Sequence, residues 1–314
     1  MSLEELKALQ DKVIKKSKTI NIITFIICVA VVVITFIILS VNISLLTNYL
    51  YFMNLFITFL FEVFFVIAIS LIIKNILLGK DIKIFNKYFK EIFVLTSLKK
   101  VFSDITYEYD KGLEESVIGN SELIGLGDRY SSNDYIKAKY KDINFEQADI
   151  HIEEEVEVED RDGKKRTEWR TLFLGRWMIF DFNKKFKYNI HVYQGNFNIW
   201  WDKKYKKVTL EDEDFNKNFT VVAENEHDAF YILTPHFMEK IKEVVKNLNG
   251  DVSFGFVDNK LHVAINNYED SFEHNIYKRI NEEEIYNKIM KDIVIITKFV
   301  DELDLDNDLF KDGV

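Results

Sequence analysis

Six histidines are the residues best suited to metal or acid–base chemistry: His151, His191, His227, His236, His262 and His274. None stands in a His-Glu-x-x-His arrangement and the chain has no CxxC pair, so the ligand spacing of a zinc site is missing. The nearest approaches are His151 with Glu153 and His227 with Asp228, which ordinary strand or helix-surface positions explain. The single cysteine, Cys28, sits in an apolar run, and no serine occupies a GxSxG elbow. Gly125-Leu126-Gly127-Asp128 is too short for a phosphate loop and no Walker lysine follows it. Asp304-Leu305-Asp306-Asn307-Asp308 hints at a calcium loop but lacks the glycine and closing glutamate at the required steps, so it reads as a solvated tail. The expectation is no metal, no cofactor and no catalytic residue. The alternative is a membrane-associated hydrolase with acids drawn from Asp181, Asp212 or Glu239, which requires the fold to pair two of them.

One ionisable residue stands out by its surroundings. From Ile20 to Leu78 the only charged residues are Glu62 and Lys74, and Glu62 lies among Phe61, Phe64 and Phe65. A carboxyl inside such a run is costly and invites a functional reading. Glu62 would serve either as a proton or ion relay in an oligomer or as a hydrogen-bonding group between helices. Thr24, Thr35 and Asn54 are the available partners for the second role. Two helices alone cannot enclose a pore, so the structural role is favoured over an oligomeric conductor.

The elements around Glu62 are two apolar runs, Ile20–Val41 with 22 residues and Leu50–Ile73 with 24. About 20 helical residues cross a hydrocarbon core of roughly 30 Å, so both runs are long enough to span. A cleaved signal peptide does not fit: the first run is too long, no small-residue cleavage site follows, and a second run comes next. The uncharged link Asn42–Tyr49 joins them, while lysines crowd the outer flanks. Residues 1–18 carry five lysines against three acids, and residues 80–100 carry six against two. The positive-inside rule therefore predicts two spans with both ends cytoplasmic and the link outside.

The total charge is −10, so residues 101–314 hold a net −16. That balance excludes a broadly basic nucleic-acid binder, and one cysteine excludes a disulfide-stapled domain. The expected organisation is a basic helix over 1–19, a hairpin over 20–78 with spans 20–41 and 50–73, and a basic amphipathic helix over 80–100. An α+β domain over 101–300 and an acidic tail over 301–314 complete it. In the 80–100 segment Lys80, Lys83, Lys87 and Lys90 form a stripe beside Ile82, Phe85, Phe89 and Ile92. Such a helix either touches an anionic membrane surface through its lysines or packs as an ordinary helix.

In the acidic domain, alternation predicts strands over Tyr135–Tyr140, Ile150–Val158, Thr167–Phe173, Trp177–Phe182, Ile190–Tyr193 and Phe219–Ala223. Asp162–Gly163 marks a hairpin turn whose acidic first strand faces Lys164, Lys165 and Arg166. Val252–Val257 and Lys260–Ile265 flank a second turn at Asp258–Asn259. Helices are predicted over Glu211–Asn218, Glu226–Leu233, Pro235–Leu248 (capped by Thr234) and Glu282–Leu303, whose Ile285, Ile289, Ile293, Ile296 and Val300 form one face. These elements predict a mostly antiparallel sheet with several helices. Phe197, Trp200 and Trp201, beside Lys203, Lys204, Lys206 and Lys207, form a candidate contact for a partner or lipid; tryptophans packed inward are the plainer explanation.

Several strings in this domain carry a resemblance. Thr171-Leu172-Phe173-Leu174-Gly175 precedes Asp181-Phe182-Asn183-Lys184-Lys185-Phe186. Leu210-Glu211-Asp212-Glu213-Asp214-Phe215 with Phe219, Ile232-Leu233-Thr234-Pro235-His236-Phe237-Met238-Glu239, and Phe254–Val263 follow in order. Over roughly residues 100–275 the chain resembles a bacterial membrane-anchored family catalogued as domain of unknown function 3137. The resemblance implies two transmembrane helices before the domain, a bacterial cytoplasmic membrane location, and no established activity or catalytic residue. Its matching positions read as structural: Phe173, Phe182, Phe186, Phe215 and Phe219 as core, Gly175 as a backbone requirement. Arg176 and Trp177 depart from the pattern. The functional expectation is a binding, scaffold or regulatory module whose partners are the lipid bilayer and either itself or another membrane protein, with no nucleic acid.

Overall fold

The computed structural model describes residues 1–40, 49–160, 163–182, 186–195 and 203–306. The chain forms two compact units, Met1–Ile92 with His274–Glu282, and Phe93–Glu273 with Glu283–Val314.

The first unit is built on α1 (Leu3–Ser40) and α2 (Tyr49–Phe89). A capping box starts α1: the Ser2 hydroxyl accepts from the Glu5 N–H at 3.2 Å, and the Glu5 carboxylate accepts from the Ser2 N–H at 2.8 Å. Lys12 meets Asp81, Thr24 meets Ser70 and Thr35 meets Glu62, so partner numbers fall along α2 as they rise along α1. The helices are therefore antiparallel. Both are long and apolar enough to cross a membrane. The expected break between a span and a separate 80–100 helix does not occur before Phe89. Gly79 alone costs a helix only about 1 kcal/mol, and no proline interrupts it. A π-helical segment, Lys90–Leu95, and α3 (Thr96–Val101) follow. Residues 274–282 rest on this hairpin: buried Gln10 donates to the carbonyls of Ile276 and Lys278 and accepts from the Ile280 N–H.

The second unit is α+β. Among the described residues its nine strands are β1 (Ser103–Glu108), β2 (Arg129–Tyr140), β3 (Ile143–Glu159), β4 (Lys165–Asp181), β5 (Ile190–Gln194), β6 (Lys206–Val208), β7 (Phe219–Ala223), β8 (Asp251–Val257) and β9 (Lys260–Asn266). They form one sheet in the order β1-β2-β3-β4-β9-β8-β5-β7-β6, and every described pairing is antiparallel. The helices are α4 (Glu115–Ser121), α5 (Glu213–Asn218), α6 (Glu226–Ile232), α7 (Pro235–Val245) and α8 (Glu282–Glu302). The cap expected at Thr234 is in place, and α5, expected from Glu211, starts at Glu213 because Asp212 caps it. The Asp212 carboxylate accepts from the Phe215 N–H, and the Thr234 hydroxyl from the Phe237 N–H.

Thr167–Phe173 and Trp177–Phe182, expected as separate strands, are parts of the single strand β4. Gly175 is not a break. A Cβ there would lie 2.1 Å from the Ile265 carbonyl oxygen, so the glycine permits the close approach of β9.

Alternation gives the sheet two buried faces. Ala148, Ile150, Ile152, Phe173, Trp177 and Ala264 pack with Leu113, Ile118 and Leu123 around α4. On the other face Phe180 and Phe254 meet Phe299 of α8, while Phe182 and Phe256 meet Phe237 of α7. The predicted α8 stripe, Ile285 to Val300, is buried throughout.

Candidate functional site

Polar groups in the hairpin act in pairs. The Thr35 hydroxyl lies 2.9 and 3.2 Å from the two Glu62 carboxylate oxygens and 3.0 Å from the Val31 carbonyl. About three turns away along α1, the Thr24 and Ser70 hydroxyls are 2.7 Å apart. Glu62 is half-buried while Phe61, Phe64 and Phe65 point outward. Of the three partners expected for Glu62, Thr35 makes the contact and Thr24 bonds Ser70 instead; the side chain of Asn54 lies outside the described residues.

Lysines surround the hairpin's polar end. Asp81 accepts from Lys16 at 3.1 Å and pairs with Lys12 at 3.3 Å, and these ammonium groups hold its carboxyl below the usual range. Lys80, Lys83 and Lys87 are exposed, but Lys90 is only 5% exposed and is not available to a membrane surface. It opens the π-helical segment, whose wider turn takes it off the three- and four-residue stripe. Phe85 and Phe89 of the predicted apolar stripe are buried, and His274 stacks on Phe89 with ring centres 5.1 Å apart. That face therefore packs on protein.

The second unit holds a buried polar cluster that joins three elements. Arg176 of β4 donates to the Ser271 hydroxyl from Nε at 2.9 Å and Nη2 at 2.6 Å. Its Nη1 donates to the Asp292 carbonyl of α8 at 2.6 Å, and the Asp292 carboxylate lies 3.2 Å from Nη2. Ser271 passes the connection on: its hydroxyl and N–H donate to the two oxygens of Asp149 in β3, at 2.9 and 2.6 Å. Burial pushes the Asp149 carboxyl up to about 7 despite the opposing Arg176 charge, and the nearby Asp134 charge adds to the rise. Asp134 is buried and accepts from Tyr107, whose phenol is raised steeply by burial and by that carboxylate. A cavity of about 100 Å³ beside the cluster is lined by Arg176, Asn249, Asn267, Glu269, Ser271 and Asp292, among others. Small-molecule sites span roughly 300–1,000 Å³, so this space suits ordered water better than a substrate. With its donors engaged internally, the cluster works as a strut clamping the segment after β9.

The opposite sheet face carries two buried histidines. His191 bonds the Ser121 carbonyl at 3.0 Å and the Tyr193 hydroxyl at 3.3 Å, and His262 Nδ1 accepts from the Trp177 indole N–H at 3.2 Å. Burial drives both imidazoles down to about 4, leaving them neutral. His151 lies 3.8 Å from Glu153 and bonds Thr171. Among the described residues no group of three or more metal-ligating side chains converges. Of the three candidate acids, Asp212 and Glu239 meet at Lys242 in ion pairs of 2.9 and 2.5 Å, and Asp181 accepts from Asn144 at 2.8 Å.

Phe197, Trp200 and Trp201 lie outside the described residues, as do Asn183–Lys185 and most of the acidic tail. Of the lysines flanking the aromatic loop, Lys204 is engaged, pairing with Glu122 at 2.7 Å and Glu224 at 3.1 Å. Sequence reasoning missed Asp81 and the Asp149–Arg176–Ser271–Asp292 cluster. The signals present were an acid amid lysines and an arginine where the family pattern has none.

No curated protein matches this chain. Among solved structures it is similar to the mycobacterial trehalose monomycolate transport factor A, TtfA. That match has 7% identity and a TM-score of 0.38, covering 70% of this chain and 94% of that one. So low a score supports no functional argument. A family model described as "Protein of unknown function (DUF3137)" matches residues 171–305, starting later than the resemblance suggested and running on through α8. From the middle of β4 to just past the end of α8, residues 171–305 are similar to that family.

Proposed function

We propose that this protein is a binding module anchored in a bacterial cytoplasmic membrane. The α1–α2 hairpin supplies two spans with both ends cytoplasmic. The second unit engages a protein partner, another membrane protein or a further copy, as a scaffold or regulator. The carrying observation is the hairpin's surface: Phe25, Phe61, Phe64 and Ile76 are 69, 68, 69 and 71% exposed. Apolar area on that scale needs a cover, and lipid supplies it between flanks rich in lysine. The internal bonding of Arg176, Asp149, Ser271, His191 and His262 favours surface recognition over catalysis as the role of the second unit.

Alkaline carbonate washing of membranes tests the anchor; the chain should stay in the pellet, and its release would refute the two-span reading. Cross-linking followed by purification in mild detergent tests the partner. Recovery of only the monomer at every cross-linker dose would sink the scaffold role.

A further inference from the structure

We infer that the α1–α2 hairpin carries a specific site for an anionic phospholipid, an inference that rests on the membrane anchor proposed above. Two hollows lie on the hairpin. One, of about 480 Å³, is lined by Lys12, Lys15, Lys16, Thr19, Ile20, Ile23 and Leu77. The other, of about 210 Å³, adds Thr24, Ile27, Val66, Ile69, Ser70 and Ile73, and shares Ile20, Ile23 and Leu77 with the first. Shared lining makes them one continuous groove. From Lys12 to Ile27 it follows α1 for about 22 Å of helix.

The groove changes character along its length. Its mouth has three lysines and its depth only aliphatic side chains and two hydroxyls. Those hydroxyls, of Thr24 and Ser70, bond each other, and Thr24 also bonds the Ile20 carbonyl, so the depth offers a ligand little polar recognition. Asp81 holds Lys12 and Lys16 side by side, yet their side chains remain 54 and 47% exposed. Three lysines against one carboxylate leave the mouth with a net +2.

A cationic mouth on an aliphatic channel is complementary to one class of amphiphile, an anion carrying an acyl chain. A headgroup phosphate sits among Lys12, Lys15 and Lys16, and a chain lies along Ile20, Ile23, Ile27 and Leu77. A zwitterionic headgroup gains less, because its own cation is repelled by the same lysines. A second copy of the chain would cover the aliphatic depth by helix packing, and it is the competing occupant that the dimer measurement distinguishes.

The test uses the full chain purified in detergent and titrated with phosphatidylglycerol or phosphatidylcholine of matched acyl chains, with bound lipid counted by native mass spectrometry. Phosphatidylglycerol should be retained about tenfold better. The triple variant Lys12→Gln, Lys15→Gln, Lys16→Gln should lose that preference, and the triple arginine variant should keep it. Ile23→Trp, which fills the groove, should weaken both lipids while circular dichroism stays unchanged. Equal retention of the two lipids by the wild type, or an undiminished preference in the glutamine variant, overturns the inference. So does a lipid-free dimer that Ile23→Trp breaks, because a second copy would then occupy the groove. Carbonate washing separates the two failures: a chain that stays in the membrane without lipid preference lacks only this site, whereas a chain washed off lacks the anchor itself.

Discussion

At Gly175 the space for a single methyl group decides whether two central strands can pair. The Ile265 carbonyl would lie 2.1 Å from an added Cβ, and it is backbone in a hydrogen-bonded strand, with little freedom to move. Gly175→Ala should therefore destabilise the protein by about 1–3 kcal/mol, read as a lower midpoint in chemical denaturation. Gln147 shows the opposite case. Its side-chain amide is fully buried in β3, and neither polar atom has a partner. Replacing a buried unbonded amide by an apolar group of similar size removes a desolvation cost, so Gln147→Leu should raise stability by about 1 kcal/mol in the same assay. The first residue was marked in the sequence only through the family resemblance, as a backbone requirement, because the local pattern breaks at Gly175 and gives no sign of the strand that passes through it. The second was not: a glutamine among Phe145, Ala148 and Asp149 has no local mark of being unsatisfied.

Among the elements, the hairpin and the sheet differ in what sets them. Thr35 and Glu62 connect α1 to α2 through one hydroxyl, and interhelical bonds of this kind in membranes average about 0.6 kcal/mol. Thr35→Val should lower the thermal midpoint of the detergent-solubilised chain slightly, whereas Glu62→Gln, which keeps an acceptor oxygen, should leave it nearly unchanged. The helices themselves were plain from sequence because apolar runs and 3.6-residue periodicity are local. Thr167–Phe173 and Trp177–Phe182 looked like two strands because Gly175 interrupts the alternation. Pairing with β3 along nearly the whole of β4 overrides that local interruption. The lysine stripe was legible through Lys87 and failed at Lys90, where the π-helical segment changes the turn.

For the whole molecule, titration of buried groups sets how stability depends on pH. His191 and His262 are neutral when folded, their ordinary value of 6.5 having fallen to about 4. The unfolded chain therefore binds two more protons at these positions through pH 5–6, and stability rises with pH there. Asp149 acts in the reverse sense. Raised from 3.8 to about 7, it holds a proton when folded, and its contribution is lost as pH rises through 7. Two histidines against one carboxyl leave a net rise of about one proton, near 1.4 kcal/mol per pH unit, through this window. Asp149→Asn should steepen the rise to about twice that slope, measured by denaturant titration at several pH values. An unchanged slope would show that Asp149 is ionised in the folded protein.

The sequence by itself determined what depends on near neighbours along the chain. This includes the two apolar helices with their lysine flanks, the cap at Thr234, the Asp258–Asn259 turn with both residues at positive φ, and the buried stripe of α8. Only the tertiary structure decided that β9 lies between β4 and β8, that residues 274–282 rest on the hairpin, and that Arg176, Ser271, Asp149 and Asp292 meet. The physical reason is separation along the chain. Propensity, periodicity and capping act within a few residues. Arg176 and Ser271 are 95 residues apart, and what brings them together is the burial of two sheet faces and the need to satisfy charge once water has gone.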